Sequence, residues 1–320
     1  MTPPKRVRTV RGDIPPETLG YCQCHEHVFI GGGTPAAPSP ALCIDDLHKS
    51  ERELCAYRTG GGSAIADAQP VGCGRGARAL LALSEQTGVH IVASTGFHRL
   101  IYYVPSHWIL TWDEERLCEL FAREITDGMF ETQRGAPPET ALPLCRAGQI
   151  KTALEPEGIC GRRRTLFLAA AGAAVRTSAP LMVHIERGSD PLALADFFEA
   201  RGVAPQKMIF CHMDRTVDSF EAHLALCKRG AYLEYDTIGR FKYHSDEREA
   251  QLIEQVVSAG YVRQLMLSLD TTRQRLVSYG GTIGLSYLLE TFLPLLRSRG
   301  FSDREILQMQ IKNPAAAYAF

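Results

Sequence analysis

The chain has 320 residues, 45% of them hydrophobic and 22% charged, with a formal net charge of −1. That balance excludes a disordered or fibrous polymer, offers no basic face for nucleic acid, and leaves enough apolar material for a large core. Nowhere do eighteen apolar residues run together, so neither a membrane helix nor a membrane partner is expected.

Residues 1–6 are followed by no apolar stretch of the kind a signal peptide needs, so a cytoplasmic chain is expected. The ten cysteines include no CxxC pair, only Cys22-Gln23-Cys24, and are expected to stay reduced. From there, short apolar runs alternate with amphipathic patterns. Strands are expected at 19–24, 63–68, 90–94, 149–153, 181–184, 208–211, 232–235 and 265–269. Helices are expected at 76–86, 164–176, 191–199 and 247–258, with Gly88, Gly202, Gly230 and Gly260 as stop signals. Residues 30–41 and 133–143 read as irregular loops. Eight β units in this order, with no GxGxxG turn after the first, predict an α/β fold: a (β/α)8 TIM barrel, one domain over residues 1–320.

The chemistry gathers at predicted strand ends. His25-Glu26-His27 follows the first strand; alternation puts both imidazoles on one face and Glu26, with Cys22 and Cys24, on the other. Lys151 sits inside an apolar strand, where an ammonium must be paired, neutralised or chemically changed. His184, His212 and Asp270 each close a later strand. Singly, these read as core histidines, a snorkelling lysine and a helix cap. In a barrel the C-terminal strand ends converge on one face, so together they predict a binuclear metal site. Two ions about 3.5–4 Å apart would make hydroxide from water near neutral pH, with Asp270 taking up the proton.

The pattern resembles the phosphotriesterase family of the amidohydrolase superfamily over nearly the whole chain. The matching residues are Leu19-Gly20 before His25-Glu26-His27, Ala147 to Lys151, Val183 to Glu186, Cys211 to Arg215, Ser268 to Asp270, and Lys312 to Ala315. The resemblance implies that His25, His27 and Asp270 hold one ion and His184 and His212 the other. It also implies that Lys151 is carboxylated and bridges both. Zinc is the first expectation for the two divalent ions, with manganese, cobalt or iron as alternatives.

Substrate choice must lie in the loops. Lys242 and Arg273, with Arg240 and Arg275, follow the last two strands, where barrels often bind phosphate. Thr95-Gly96-Phe97-His98, Tyr102-Tyr103 and Ser278-Tyr279-Gly280-Gly281 resemble the sugar-lactonase branch, which places His98 and Tyr103 at the substrate. The expected activity is opening of a sugar lactone carrying an anionic group. The alternatives are a phosphotriesterase or aryl esterase with the same centre, and a non-catalytic binding protein. Asp67, Asp214 and Arg215 are expected to support the metal histidines, and Glu186 and Arg187 to pair on the rim. Trp108 and Trp112 are assigned to a pocket wall or a subunit contact. The oligomeric state is open, with a homodimer as the prior.

Overall fold

A computed structural model describes residues 4–31, 40–131, 137–138, 142 and 145–320. An antiparallel hairpin, β1 (Val7–Thr9) and β2 (Gly12–Ile14), opens the chain. Two parallel runs follow. One comprises β3 (Cys22–Glu26), β4 (Ala64–Asp67) and β5 (His90–Val92). The other comprises β6 (Ser94–Gly96), β7 (Gln149–Leu154), β8 (Leu181–Ile185), β9 (Met208–Cys211), β10 (Tyr232–Tyr235) and β11 (Leu265–Leu267).

β5 and β6 are halves of one barrel strand, parted at Ala93, whose carbonyl accepts from the backbone N–H of Gly148 at 2.9 Å and Gln149 at 3.3 Å. Counted together they give the eight expected strands. The seam between β11 and β3 is closed by the backbone N–H of Asp270, which donates to the His25 carbonyl at 3.1 Å. The outward-facing Glu26 reinforces it. Its carboxylate accepts from the Ser268 hydroxyl at 2.8 Å and from the backbone N–H of Leu269 and Thr271 at 2.9 and 3.0 Å.

Helices α1 (Leu47–Thr59), α2 (Ala77–Thr87), α3 (Glu114–Thr126), α4 (Gly161–Thr177), α5 (Pro191–Glu199), α6 (Met213–Thr216), α7 (Phe220–Arg229) and α8 (Asp246–Ser258) lie outside the strands. Short helices α9 (Leu293–Ser298), α10 (Asp303–Leu307) and α11 (Asn313–Ala317) complete the chain. The four predicted stop glycines all adopt positive φ, from 73° to 93°. Outward residues such as Ile65, Ile91, Ile150, Val183, Phe210 and Leu233 are buried under the helices. Each contributes about 1.5–3 kcal/mol by leaving water. Inside the barrel, Val7, Leu19, Ala317 and Tyr318 join one cluster with Cys22, Ala64, Val92, Met182, Ile209 and Met266. The terminal segments thus close one end, and the cavity opens at the other.

Two expectations are corrected. The first strand begins at Cys22 rather than residue 19, because a short 3-10 turn (Pro16–Thr18) runs into Leu19 and the chain then turns at Gly20, φ 71°. Cys22 and Cys24 face the barrel interior, on the same side as His25, because the register of β3 against β4 shifts between Gln23 and Glu26. A bulge of this kind re-aims one side chain and breaks simple alternation. The predicted loops at 30–41 and 133–143 lie largely outside the described residues.

Candidate metal centre

The six predicted ligand-type residues meet at the C-terminal mouth of the barrel. β3 and its bulge deliver His25 and His27, with ring centroids 5.8 Å apart. The His25 ring also lies 4.7 Å from His212, and His212 lies 4.4 Å from His184. His212 Nε2 and His184 Nδ1 are 2.8 Å apart, and Asp270 Oδ1 is 3.5 Å from His27 Nε2 and 3.9 Å from His25 Nε2. Lys151 is fully buried, its Nζ 3.4 Å from His25 Nε2 and 3.4 Å from the Met182 sulfur. It reaches this point because Gly96 on the neighbouring strand leaves room: a Cβ there would lie 2.0 Å from the Lys151 carbonyl oxygen.

Two of these positions carry backbone strain. His212 has φ 61° and Asp270 φ 47°. Left-handed conformations cost a non-glycine residue roughly 1–2 kcal/mol and cluster where function over-determines the backbone. The twist turns His212 into the cavity although Cys211 just before it already faces inward.

Electrostatics prepares the donors. Burial and the neighbouring His212 hold His184 well below its usual pKa, and burial with Arg215 lowers His212 to about 3. Both are therefore neutral, the state that offers a lone pair to a cation. Burial opposes ionisation of Asp270, but Arg240, His27 and Arg215 outweigh it and keep the carboxylate charged. Behind the donors, Asp236 Oδ1 accepts from His212 Nδ1 at 2.6 Å, and Glu234 Oε2 and Asp236 Oδ2 both lie 3.2 Å from His25 Nδ1. Burial and Lys151 push His25 down, but these two carboxylates raise it to about 9. The donor set fits paired divalent cations. Two neutral imidazoles, those of His184 and His212, and the ionised Asp270 stand around a buried lysine whose nearest partners are a ring nitrogen and a thioether rather than an anion.

Above this floor lies a cavity of about 630 Å³. Arg215, Arg240, Lys242 and Arg275 line it, the first three grouped around the Tyr243 ring, together with Arg99 and Arg187. Arg240 Nη1 pairs with Asp270 Oδ2, Arg215 Nη2 lies 3.3 Å from the same oxygen, and Arg275 donates to the Ile238 carbonyl at 2.7 Å. His98 lines the cavity as expected, its ring 5.1 Å from that of His184.

Arg273 and Tyr103 are corrections. Among the described residues, neither lines the cavity. Arg273 donates to the Cys43 carbonyl at 2.9 Å, pairs with Asp45 at 3.1 Å and stacks on Tyr279. Tyr103 is buried, its hydroxyl accepting from the His98 backbone N–H at 2.8 Å, and its neighbour Tyr102 faces the cavity instead. Asp67 accepts from the Val28 and Gln69 backbone N–H groups at 2.8 and 3.1 Å rather than from a histidine ring. Asp214 turns away from the centre and accepts from Thr237 N–H at 2.6 Å. Glu186 pairs with Arg99 at 2.5 Å and Arg187 with Asp218 at 3.1 Å, as expected of rim charges. Trp108 is 2% exposed and packs in the core.

Arg99, Tyr102, Glu234 and Asp236 were not read as site residues. Glu234 and Asp236 had a signal: two acids at i and i+2 at the end of an apolar strand share the inward face. Arg99 and Tyr102 sit in a loop, where no period announces direction.

The phosphotriesterase family model matches residues 5–318. A phospho-furanose lactonase from Mycoplasmopsis synoviae is 30% identical, the match covering 99% of this chain and 92% of that protein. An amidohydrolase structure from Mycoplasma synoviae superposes with a TM-score of 0.93 at 29% identity, covering 99% of this chain and 93% of that one. A phosphotriesterase homology protein from Escherichia coli, complexed with phosphate in its active site, gives 0.84 at 27% identity, covering 94% and 99% of the two chains.

Proposed function

Because the chain belongs to the phosphotriesterase family and is a hydrolase of that family, we propose that it opens a sugar lactone bearing an anionic, phosphate-like group. Residues 1–320 act as one catalytic unit. His25, His27 and Asp270 would hold one divalent ion and His184 and His212 the other. Lys151, as a carbamate formed when its neutral amine adds carbon dioxide and releases a proton, would supply oxygen donors to both. Carboxylation turns a buried cation that would repel metals into an anion with two oxygen donors. Zinc suits the donors best, with manganese, cobalt or iron as alternatives. When bound, the ions supply Lewis acidity to the scissile carbonyl and acidify water. Asp270 takes the proton at Oδ1, while Arg240 and Arg215 hold Oδ2 and fix the carboxylate's orientation.

One observation carries the substrate assignment: four basic side chains, Arg215, Arg240, Lys242 and Arg275, line the cavity together with the donor cluster. Guanidinium and ammonium groups recognise phosphate and carboxylate oxygens. The related lactonase acts, by its name, on a phospho-furanose lactone, and the Escherichia coli relative has phosphate in its active site. Bulky neutral phosphotriesters need an apolar pocket, which this wall does not provide.

No helix among the described residues is long and apolar enough to cross a membrane. The ten free cysteines suit the reducing, cytoplasmic setting we propose. The test is a panel assayed on metal-loaded protein: phosphorylated furanose lactones, their neutral parents, aryl esters and aryl phosphotriesters. The phosphorylated lactones should show the highest kcat/KM, about tenfold or more above the neutral parents, for one charge-assisted contact. Higher turnover of a phosphotriester than of any lactone would overturn the assignment.

A further inference from the structure

Outside the catalytic centre, three ligand-type side chains converge on the helix-facing side of β10, beside Tyr235. They are Asp214 of α6, His244 just ahead of α8, and Glu249 within α8; one donor atom from each lies within 4.8 Å of the others. Asp214 is 8% exposed and Glu249 is fully buried. Asp214 Oδ1, both Glu249 oxygens and His244 Nε2 all lack a hydrogen-bond partner.

The orientation of His244 says what is missing. Its Nδ1 lies 3.2 Å from the Ser245 carbonyl oxygen, which can only accept, so Nδ1 carries the proton. Burial lowers the ring's pKa and favours the neutral form. Nε2 then presents a bare lone pair to Glu249 Oε2 at 3.1 Å, and Asp214 Oδ1 adds a third acceptor. Three acceptors facing one another repel unless a cation or a proton shared by the two carboxyls lies between them. A backbone carbonyl fixing Nδ1–H while Nε2 faces a carboxylate pair is also the arrangement that orients a metal-binding histidine.

We propose that Asp214, His244 and Glu249 form a third cation site, separate from the catalytic pair, for a divalent transition-metal ion. One nitrogen and two carboxylate oxygens suit zinc or manganese, with water completing the shell beside the partly buried His244. The ion neutralises two buried carboxylates and ties α6 to α8. Helix α6 itself carries Arg215, and Arg240 lies between β10 and α8, so the site stiffens the basic wall of the cavity without touching substrate.

The experiment counts metal rather than activity. Wild type, Glu249→Gln and His244→Asn are equilibrated with Mn2+, freed of unbound ion and analysed for metal per chain, with the fold checked by circular dichroism. Each folded variant should hold one manganese fewer than wild type, whatever the wild-type total. Two variants guard against one failing to fold. Equal metal content in wild type and a folded variant overturns the site, and the carboxyl pair then shares a proton instead. The difference between proteins reports this site, while the number remaining in the variants reports the catalytic centre, so the two readings fail separately.

Discussion

The floor of the cavity is built from strand ends and its wall from loops, and different forces hold the two. The floor donors sit at strand ends, and three of the six are further backed by a buried carboxylate or by strained backbone: Asp236 behind His212, Glu234 behind His25, and positive φ at His212 and Asp270. The wall is held by charge. Arg240 and Arg215 rest on Asp270, Arg275 rests on backbone carbonyls, and Lys242 is exposed with the Tyr243 ring 4.7 Å away. The floor is pre-organised and tolerates little change, whereas the wall can exchange partners when an anion arrives.

The floor should therefore fail first and hardest. Lys151→Ala removes the proposed bridging donor and should lower kcat/KM by about three orders of magnitude, roughly 4 kcal/mol of transition-state stabilisation. Metal content should fall with it. A short carboxylic acid entering the vacated space should restore part of both, and full activity without rescue would remove Lys151 from the centre. Asp236→Asn comes next. Its carboxylate orients His212 and faces His25, so metal affinity should drop about 10–100-fold, measured by competition with a chelator. An unchanged affinity would mean the floor does not depend on its backing.

The floor was legible in the sequence for the same reason that it is rigid. Position at a strand end fixes which face of the barrel a residue reaches, so the sequence alone brings His25, His27, Lys151, His184, His212 and Asp270 together. Alternation still failed locally: the bulge in β3 brings Cys24 and His25 to the same side, and no residue type near Gln23 marks it. The wall was legible only as composition. A run of basic residues after the last strands was visible, but Arg273 turns to Asp45 because that partner comes from a distant segment. Tyr102 and Tyr103 exchange roles because a 3-10 turn, Leu100–Tyr102, sets their directions.

Metal removal gives a pH-dependent view of the floor. An unfolded histidine takes its proton near pH 6.5, whereas folded His212 does so only near 3, because burial and Arg215 oppose the charge. Burial shifts His184 and His98 the same way. Between those values the unfolded chain binds more protons, so stability falls as pH drops below about 6.5. His25 has the opposite sign: raised to about 9, its contribution is complete below about 6.5 and is lost as pH rises through 9. The denaturation midpoint of metal-stripped protein should peak near neutrality and fall more steeply on the acid side, where three imidazoles act together. A profile steeper on the alkaline side would contradict the neutral state assigned to His184 and His212.

The smallest effects separate wall residues from their neighbours. Lys242→Ala removes a cavity cation that no carboxylate holds within 4 Å among the described residues, so KM for a phosphorylated lactone should rise about tenfold, roughly 1.5 kcal/mol. The neutral parent lactone should be nearly unaffected. Arg240→Ala should lower kcat as well, since the same guanidinium orients Asp270. Arg273→Ala is the control. Its guanidinium is committed to Asp45, the Cys43 carbonyl and the Tyr279 ring, so losing it should change KM by less than about twofold, within the range of an exposed ion pair. If Arg273→Ala instead matched Lys242→Ala on the charged substrate and spared the neutral one, Arg273 would have to leave Asp45 when substrate binds. The wall would then extend to the segment after β3, and the anion would sit nearer that loop than to Arg215.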